Sequence, residues 1–239
     1  RCIKKKKILV IIPARKGSKG LKNKHLLPLG NKKLIEWVIN SAKKVNLIDK
    51  ILLTTDSADI RKIALKNNIS SPFLRPKKLS TDSAKSSDVI LHVLNYLKKE
   101  KDIYDFFILL EPTSPFTSAK DIEKSIKLFV KNYKKFDSLV SVSKFDKIHL
   151  SNIFNLKNNQ IIPIFKKFEN DVRRQEISKL VYLDGSIYIA KVDNYMRNKQ
   201  FLNNKTQTIF FDYWKSIEID TNFDLILAEK IFSKFKNKL

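Results

Sequence analysis

The first thirty residues hold a glycine-containing loop whose composition suits phosphate binding. Three of the four glycines of the chain fall here, at Gly17, Gly20 and Gly30. The loop follows an apolar run that ends at Pro13, and loops of this kind can present backbone N–H groups to phosphates. Three side chains could add charge-assisted contacts to a triphosphate: Arg15, Lys19 and Lys24. The sequence therefore favours a phosphate-binding loop over an ordinary basic surface loop, although it matches neither G-x-x-x-x-G-K-[ST] nor G-x-G-x-x-G.

Two carboxylates near the end of the chain have a spacing that suits a metal ion. Glu218 and Asp220 are two residues apart in a region where we predict a strand, Ser216 to Ile219. Alternate residues of a strand point to the same face, so both carboxylates would lie together. Mg²⁺ takes a few protein oxygens and keeps waters or phosphates in its other positions. Taken alone, the same alternation is also typical of a solvent-facing edge strand.

The elements that must position these residues alternate along the chain. Apolar runs predict strands at Lys7 to Pro13, Lys50 to Thr55, Phe106 to Leu110 and Ser138 to Ser143. Amphipathic stretches predict helices at Leu34 to Val45, Ala58 to Asn67, Ser86 to Lys99 and Ala119 to Tyr133. Continuous apolar strands separated by helices predict an α/β fold, with a mostly parallel sheet covered by helices on both faces. Ligands of such sheets bind outside the carboxyl ends of the strands.

The pattern loosens between about residues 145 and 182, where Asn, Lys and short apolar runs mix. We interpret this stretch as an arm inserted into a single domain that spans residues 1–239, with dimerisation as its expected role. Regular patterning then resumes, with predicted strands at Ser186 to Ala190 and Thr208 to Phe211 and a closing helix at Phe223 to Phe235.

The composition bounds the class of protein. Hydrophobic residues make up 43% of the 239, which is enough for a core, and no apolar run approaches the ~20 residues needed to cross a bilayer. We therefore expect a soluble, cytoplasmic protein with no membrane partner, and the single cysteine excludes an internal disulfide. The formal charge of +24 leaves a nucleic-acid partner open. Because the lysines are spread along the chain without a readout motif, a solvated lysine-rich surface is the favoured interpretation.

Short motifs follow one another along nearly the whole chain. They are Ile12-Pro13-Ala14-Arg15-Lys16-Gly17-Ser18-Lys19-Gly20-Leu21, Thr55-Asp56-Ser57, Leu74-Arg75-Pro76, Leu79-Ser80-Thr81-Asp82, Glu111-Pro112-Thr113-Ser114-Pro115, Asp184-Gly185-Ser186-Ile187-Tyr188-Ile189 and Ser216-Ile217-Glu218-Ile219-Asp220-Thr221. In this order they resemble the acylneuraminate cytidylyltransferase (CMP-sialic acid synthetase) family, including its CMP-legionaminate and CMP-pseudaminate branches. The resemblance implies a Rossmann-like nucleotidyltransferase fold, use of CTP with Mg²⁺ (or Mn²⁺ as a substitute), release of pyrophosphate and a homodimer formed through the arm.

For the nucleotide, the resemblance implies contacts from Arg15, Gly17, Ser18, Lys19, Lys24, His25, Arg75, Ser80 and Asp82. His25 stands where the family usually has Asn, and a structural role is its alternative. For Asp82 the alternative is a cap on the following helix. Arg15, Lys24 and Asp220 are the expected catalytic residues. Asp220 and Glu218 are the expected metal ligands, with Glu218 replacing a second Asp of the family.

For the sugar, the resemblance implies contacts from Glu111, Arg174, Gln175, Asp184, Tyr188 and Phe201. Arg174 suits bidentate binding of the sugar carboxylate. The sialic-acid enzymes often have Gln in place of Glu111, Asn in place of Asp184 and a second Phe in place of Leu202, and these departures favour a bacterial sugar such as legionaminate. A purely structural Glu111, and aromatic side chains that belong to the core, are the alternatives.

The expected reaction is transfer of CMP from CTP to the anomeric hydroxyl of a nonulosonic acid, either legionaminate-like or N-acetylneuraminate. Pseudaminate or a related octulosonate is the alternative substrate. Two other classes stay open at this point: a basic nucleic-acid-binding protein, and a catalytically silent relative that only binds a nucleotide.

Overall fold

A six-stranded sheet forms the centre of the computed structural model, which describes residues 6–17, 20–144, 153–163 and 181–238. Numbered along the chain, its strands lie in the order β10 (Thr206–Phe210), β6 (Ser138–Lys144), β9 (Val181–Lys191), β5 (Phe106–Leu109), β1 (Ile8–Pro13) and β4 (Lys50–Thr54). Strand β9 runs antiparallel to both of its neighbours, and the other adjacent pairs are parallel. The predicted mostly parallel sheet is confirmed.

Helices cover both faces of this sheet: α1 (Leu34–Lys43), α2 (Ala58–Lys66), α3 (Ser86–Lys99), α4 (Ala119–Lys131), α5 (Val192–Asn198) and α6 (Asn222–Phe235). Strand β1 shows why both faces must be covered. Its Val10 and Ile12 belong to a core cluster with α1, α2 and α4, whereas Leu9 and Ile11 belong to a second cluster with α3 and α5. A strand that is apolar on both faces can be buried only between two helical layers.

Side-chain caps fix where several helices begin. The Ser57 hydroxyl accepts from the backbone N–H of Ile60 at the start of α2. Capping boxes open α4 at Ser118 and α6 at Thr221. Each cap satisfies an N–H group that the first helical turn leaves without a partner, so the loops before these helices have defined ends.

The predicted strand at Ser216 to Ile219 is wrong. A short 3₁₀ helix covers Tyr213–Lys215 and α6 is capped at Thr221, so only a short segment remains between them. This segment, residues 216–220, makes no strand ladder in the described structure. It is held by the fully buried Ile219, whose backbone N–H donates to the carbonyl of Thr113 at 2.8 Å.

Helix α5 and two small hairpins were not predicted from the sequence. The first hairpin pairs β2 (Pro28–Leu29) with β3 (Lys32–Lys33). The second pairs β7 (Phe154–Lys157) with β8 (Gln160–Pro163) through Asn158 and Asn159, whose φ angles of 49° and 61° are left-handed. It is the part of the predicted arm, together with residues 181–182, that the structure describes. None of the helices in the described ranges is long and apolar enough to span a membrane.

Candidate active site

A cavity of about 260 Å³ opens at the carboxyl ends of β1 and β5. We call it the main cavity. It brings together nine of the residues predicted from the sequence: Arg15, Gly17, Lys24, His25, Arg75, Asp82, Glu111, Glu218 and Asp220. Ser18 and Lys19 lie outside the described residues. The location agrees with the rule that ligands of open α/β sheets bind beyond the carboxyl ends of the strands.

Two arginines on one wall are held by neighbouring side chains. Arg15 Nη1 forms an ion pair with Asp82 Oδ1 at 2.7 Å. Arg75 donates through Nε to Ser80 Oγ at 3.1 Å, and its backbone N–H donates to the carbonyl of Thr55 at 2.7 Å. Ser80 is therefore placed to orient Arg75, although it is not part of the cavity lining. Asp82 does not cap α3, because Lys85 occupies the N-cap position.

The glycine-containing loop is fixed at both of its ends. The backbone N–H of Lys16 donates to Asp56 Oδ1 at 2.7 Å, which ties the loop to the end of β4. A β-carbon at position 20 would overlap the carbonyl oxygen of Asp220. Gly20 is thus required for the close approach of the loop to the segment that carries the two carboxylates, whereas a β-carbon at Gly17 would meet nothing within 4 Å.

His25 is a neutral imidazole in the wall of the main cavity. Burial, together with the charges of Lys24, Arg75 and Arg15, lowers its pKa to about 3. Its buried Nδ1 has no hydrogen-bond partner among the described residues. A neutral ring that borders three cations can offer a hydrogen bond to a ligand without adding a fourth positive charge.

The carboxylate wall is formed by residues 216–220. Glu218 Oε1 accepts from the hydroxyl of Thr113 at 3.3 Å, and Asp220 Oδ1 forms an ion pair with Lys24 Nζ at 2.7 Å. Gly185, at a φ of 73°, leaves room for Glu218, whose Oε2 would be 3.1 Å from a β-carbon there. Burial and the negative charge of Asp220 raise the pKa of Glu218.

Glu111 lies at the end of β5 between the two walls. Burial raises the pKa of Glu111 to about 7, and the charge of Glu218 adds to this shift while Lys24 opposes it. The carboxyl therefore holds its proton to a higher pH than a solvent-exposed glutamate does. Its presence beside Glu218 and Asp220 gives the main cavity three acidic side chains within electrostatic reach of one another.

A buried ion pair, missed in the sequence, anchors the carboxylate wall. Lys215 Nζ lies 2.5 Å from Asp121 Oδ2, and both residues are buried. The same carboxylate accepts from the hydroxyl of Ser118 at 2.6 Å. This contact joins the segment just before Glu218 to the first turn of α4. The partners are separated by 94 residues, so no local pattern could reveal the pair.

Three residues predicted to bind the sugar are absent from the lining of the main cavity. Asp184 is buried and accepts from the hydroxyls of Ser141 and Ser143, which ties β9 to β6. Phe201 packs in the core, with its ring centre 4.8 Å from that of Tyr195 and 5.1 Å from that of Tyr188. Their roles in sugar binding stay predictions. Arg174 and Gln175 lie outside the described residues.

Residues of α3 and of the Glu111-to-Pro115 motif were not assigned in the sequence, yet they line the main cavity. They are Ser86, Val89, Ile90 and Thr113. Thr113 belongs to the Glu111-to-Pro115 motif, so this motif could have identified it as a candidate site residue. The three residues of α3 carry no signal beyond an ordinary amphipathic helix.

The carboxylate wall fits a divalent cation. Glu218 and Asp220 lie in one short segment, and burial, followed by the negative charge of neighbouring carboxylates, raises the pKa of both Glu218 and Glu111. A bound cation would relieve this repulsion. Within the described ranges no cluster of three or more His, Cys, Asp or Glu side chains forms a complete metal cage. Mg²⁺ is commonly bound by one or two protein carboxylates and takes its other ligands from substrate phosphates and water. Glu218 and Asp220 would supply such a pair of carboxylates.

The sequence model of the cytidylyltransferase family matches residues 9–228. The chain is 34% identical to the N-acylneuraminate cytidylyltransferase of Escherichia coli O18:K1:H7, over 97% of this chain and 53% of that protein. It is 35% identical to the CMP-N,N'-diacetyllegionaminic acid synthase of Legionella pneumophila, over 94% of this chain and 96% of that protein. The chain thus spans about half the length of the N-acylneuraminate cytidylyltransferases that it matches, and nearly all of the Legionella relative.

Solved structures with the same fold include a CMP:2-keto-3-deoxy-manno-octonic acid synthetase in complex with CTP. It superposes with a TM-score of 0.68 over 98% of this chain and 100% of that chain, at 16% identity. A 4-diphosphocytidyl-2C-methyl-D-erythritol synthase from Anaerococcus prevotii gives a TM-score of 0.66 at 15% identity, over 97% of this chain and 98% of that one. At these identities the likeness concerns the fold.

Proposed function

This chain belongs to the cytidylyltransferase family, and from that membership we propose that it transfers CMP from CTP to the anomeric hydroxyl of a nonulosonic acid and releases pyrophosphate. The observation that carries the proposal is the main cavity itself. It brings Arg15, Lys24 and Arg75 together with Glu218 and Asp220 at the carboxyl ends of β1 and β5. One cavity thus offers a cationic wall for a triphosphate and an acidic wall for a divalent cation.

The cationic wall would bind and orient the phosphates of CTP. Negative charge builds up on the departing pyrophosphate, and preorganised donors that stabilise this charge speed the reaction. Arg15 and Arg75 are already held by Asp82 and Ser80, so little further ordering is needed when the nucleotide binds. Lys24 is buried beside Asp220 and would link the phosphates to the carboxylate wall.

Asp220 and Glu218 would hold Mg²⁺, with Mn²⁺ as a substitute. The ion would neutralise phosphate charge during attack on the α-phosphorus and so lower the barrier. In the structure one oxygen of Asp220 accepts from Lys24, which leaves its other oxygen for the metal. Thr113 and the Lys215–Asp121 ion pair keep the segment in place.

For the acceptor we propose a legionaminate-like nonulosonic acid, with N-acetylneuraminate as the next candidate. Support comes from the Legionella relative, whose length matches this chain, and from Glu111, which can accept hydrogen bonds from a hydroxyl or amide of the sugar when ionised. Arg174 and Gln175 of the arm are proposed for the sugar carboxylate. Pseudaminate and octulosonate remain the alternative acceptors.

We also propose that the protein works in the cytoplasm as a homodimer. Apolar side chains of the β7–β8 hairpin support the dimer: Leu156 and Ile161 are 76% and 67% exposed, and Phe154 and Ile162 are also open to solvent. Phe154, Leu156 and Ile161 share one face of the hairpin, whereas Ile162 pairs with Asn155 on the other face. An exposed apolar face of this kind favours a protein interface. Light scattering after gel filtration would report about twice the mass of 27.9 kDa for a dimer.

A turnover panel tests the reaction. Purified protein would be incubated with CTP, Mg²⁺ and one sugar at a time, namely legionaminate, N-acetylneuraminate, pseudaminate or the octulosonate, and pyrophosphate release would be followed. We expect the fastest release with legionaminate. If none of the four acceptors gives pyrophosphate release while CTP binding is retained, the result favours the alternative of a catalytically silent relative that only binds the nucleotide. Release with the octulosonate alone would replace the proposed acceptor.

A further inference from the structure

A second cavity, of about 310 Å³, lies at the opposite edge of the sheet. We call it the distal cavity. Tyr104, which precedes β5, and Val192, which follows β9, are two of its lining residues. The backbone N–H of Val192 donates to the carbonyl of Asp105 at 3.1 Å, which brings these two strand ends together. Because β5 and β9 are antiparallel, both positions lie away from the main cavity.

The floor and walls of the distal cavity are apolar. Leu94 and Leu97 of α3 and Tyr104 are buried, at 4%, 2% and 6% exposure. Met196 of α5 faces them, and Ile103 stands at the rim with 69% of its surface exposed. A concave site of this size, lined by aliphatic and aromatic groups, falls at the small end of the range for organic ligands, about 300–1,000 Å³.

Two cations at the mouth have no carboxylate partner among the residues that the structure describes. Lys98 and Arg197 both line the cavity and are exposed. Across the described ranges, neither of them takes part in an ion pair. Two carboxylates belong to the lining, those of Asp102 and Asp193. Asp193 takes part in no hydrogen bond or ion pair with the described residues.

Asp102, the other carboxylate of the lining, is already neutralised. Its oxygens accept from Lys7 at 2.7 Å and from Lys50 at 2.8 Å, and the hydroxyl of Tyr104 donates to it at 2.8 Å. Although burial opposes ionisation, these hydrogen bonds hold the pKa of Asp102 at about 2. The mouth of the distal cavity therefore keeps a net positive charge above an apolar floor.

We propose that the distal cavity binds a small amphipathic anion, whose apolar body lies against Leu94, Leu97 and Met196 and whose carboxylate meets Lys98 and Arg197. The site is separate from the nucleotidyl-transfer reaction. It is joined to the main cavity by α3, since Ser86, Val89 and Ile90 line the main cavity while Leu94, Leu97 and Lys98 line the distal one.

The chain supplies its own probe for this site. Met196 is the only methionine among the 239 residues, so methionine labelled with ¹³C on its methyl group reports on the distal cavity through one signal. The full chain would be titrated with 4-phenylbutyrate, which combines an aromatic body with one carboxylate. We expect a saturable shift of the Met196 methyl signal, and ring-current effects from a bound phenyl group should make it large.

Matched ligands and variants test the apolar contact and the contact with the carboxylate separately. Neutral 4-phenylbutan-1-ol lacks the charge and butyrate lacks the apolar body, and both should bind more weakly. The double variant Lys98→Gln/Arg197→Gln should weaken 4-phenylbutyrate by about fivefold or more, because two partly exposed ion pairs are lost. Lys99→Gln removes one charge from the same helix outside the lining and should change little. Asp193→Asn should tighten binding about twofold.

Three results would overturn the proposal. The first is no saturable shift of the Met196 signal up to roughly 10 mM ligand, which corresponds to binding weaker than about −3 kcal/mol. The others are equal affinity for the acid and the alcohol, and an unchanged affinity for 4-phenylbutyrate in the double variant. All substitutions lie on exposed side chains, so folding is retained. A shift that follows addition of CTP alone would instead assign the signal to motion of α3.

Discussion

The half-buried carboxyl of Glu111 makes the stability of the ligand-free protein depend on pH in a predictable direction. Its pKa rises from 4.5 to about 7 on folding, with burial as the largest cause. Between these two values the folded chain keeps a proton that the unfolded chain has lost. Stability attributable to Glu111 is therefore fully present below pH 4.5 and is lost as the pH rises towards 7 and above.

Replacing Glu111 by Gln removes this dependence. A tenfold change in proton affinity corresponds to about 1.4 kcal/mol, so the shift from 4.5 to about 7 is equivalent to about 3 kcal/mol above pH 7. Partial contact of the carboxyl with water in the cavity makes this an upper value. We expect Glu111→Gln to exceed the free energy of unfolding of the wild type by about 1 kcal/mol or less near pH 5 and by about 2–3 kcal/mol at pH 8.

Urea unfolding at pH 5 and pH 8, in EDTA and without nucleotide, measures the two differences directly. Glu100→Gln, at the exposed end of α3, controls for the loss of one acidic side chain at the surface. The same stability difference at both pH values would refute the reasoning, and so would a less stable variant at pH 8. In the turnover assay, the variant should raise KM for the sugar while leaving KM for CTP nearly unchanged.

Three further predictions follow from contacts around the main cavity. Asp220→Ala should slow pyrophosphate release at least about a hundredfold with an unchanged circular dichroism spectrum; full activity would remove the metal assignment. Lys215→Met should lower the free energy of unfolding in urea by about 3–5 kcal/mol because it leaves Asp121 buried without its cation. Adding Asp121→Leu should restore part of the loss. A change below about 1 kcal/mol would show that this ion pair contributes little to stability. Gly20→Ala should weaken CTP binding and stability together, whereas Gly17→Ala should leave the free energy of unfolding within about 0.5 kcal/mol of the wild type. Equal effects of the two glycine variants in calorimetry would contradict the close approach at Asp220.

The family and the α/β class were predicted correctly because both rest on features with local signals. Strand β1 reads as apolar on both faces and directly precedes the motif that contains Arg15 and Gly17. Such a strand must lie inside a sheet, and the residues after it must then emerge at the carboxyl edge. That single inference places the glycine-containing loop beside the other strand ends.

Contacts between distant parts of the chain explain what could not be predicted. The alternating run around Glu218 resembles a strand, but its place is set by Thr113, which is 105 residues away. Strand β9 lies antiparallel between β5 and β6, and no periodicity reveals this pairing of distant segments. Asp184 reads as a site residue by its motif, yet its carboxylate is engaged by Ser141 and Ser143 of the neighbouring strand.

The strongly basic composition and the acidic wall of the main cavity have complementary electrostatic roles. A formal charge of +24 draws anions towards the surface, yet both proposed substrates are anions that would repel each other in one cavity. In the proposed reaction, the carboxylates of Glu218 and Asp220 would hold a cation between the two anionic substrates. The cations Arg15 and Arg75 line the same cavity and would balance part of the charge of the proposed triphosphate. A cavity with cations alone would bind CTP more tightly but would hold its pyrophosphate product equally well, which lowers turnover.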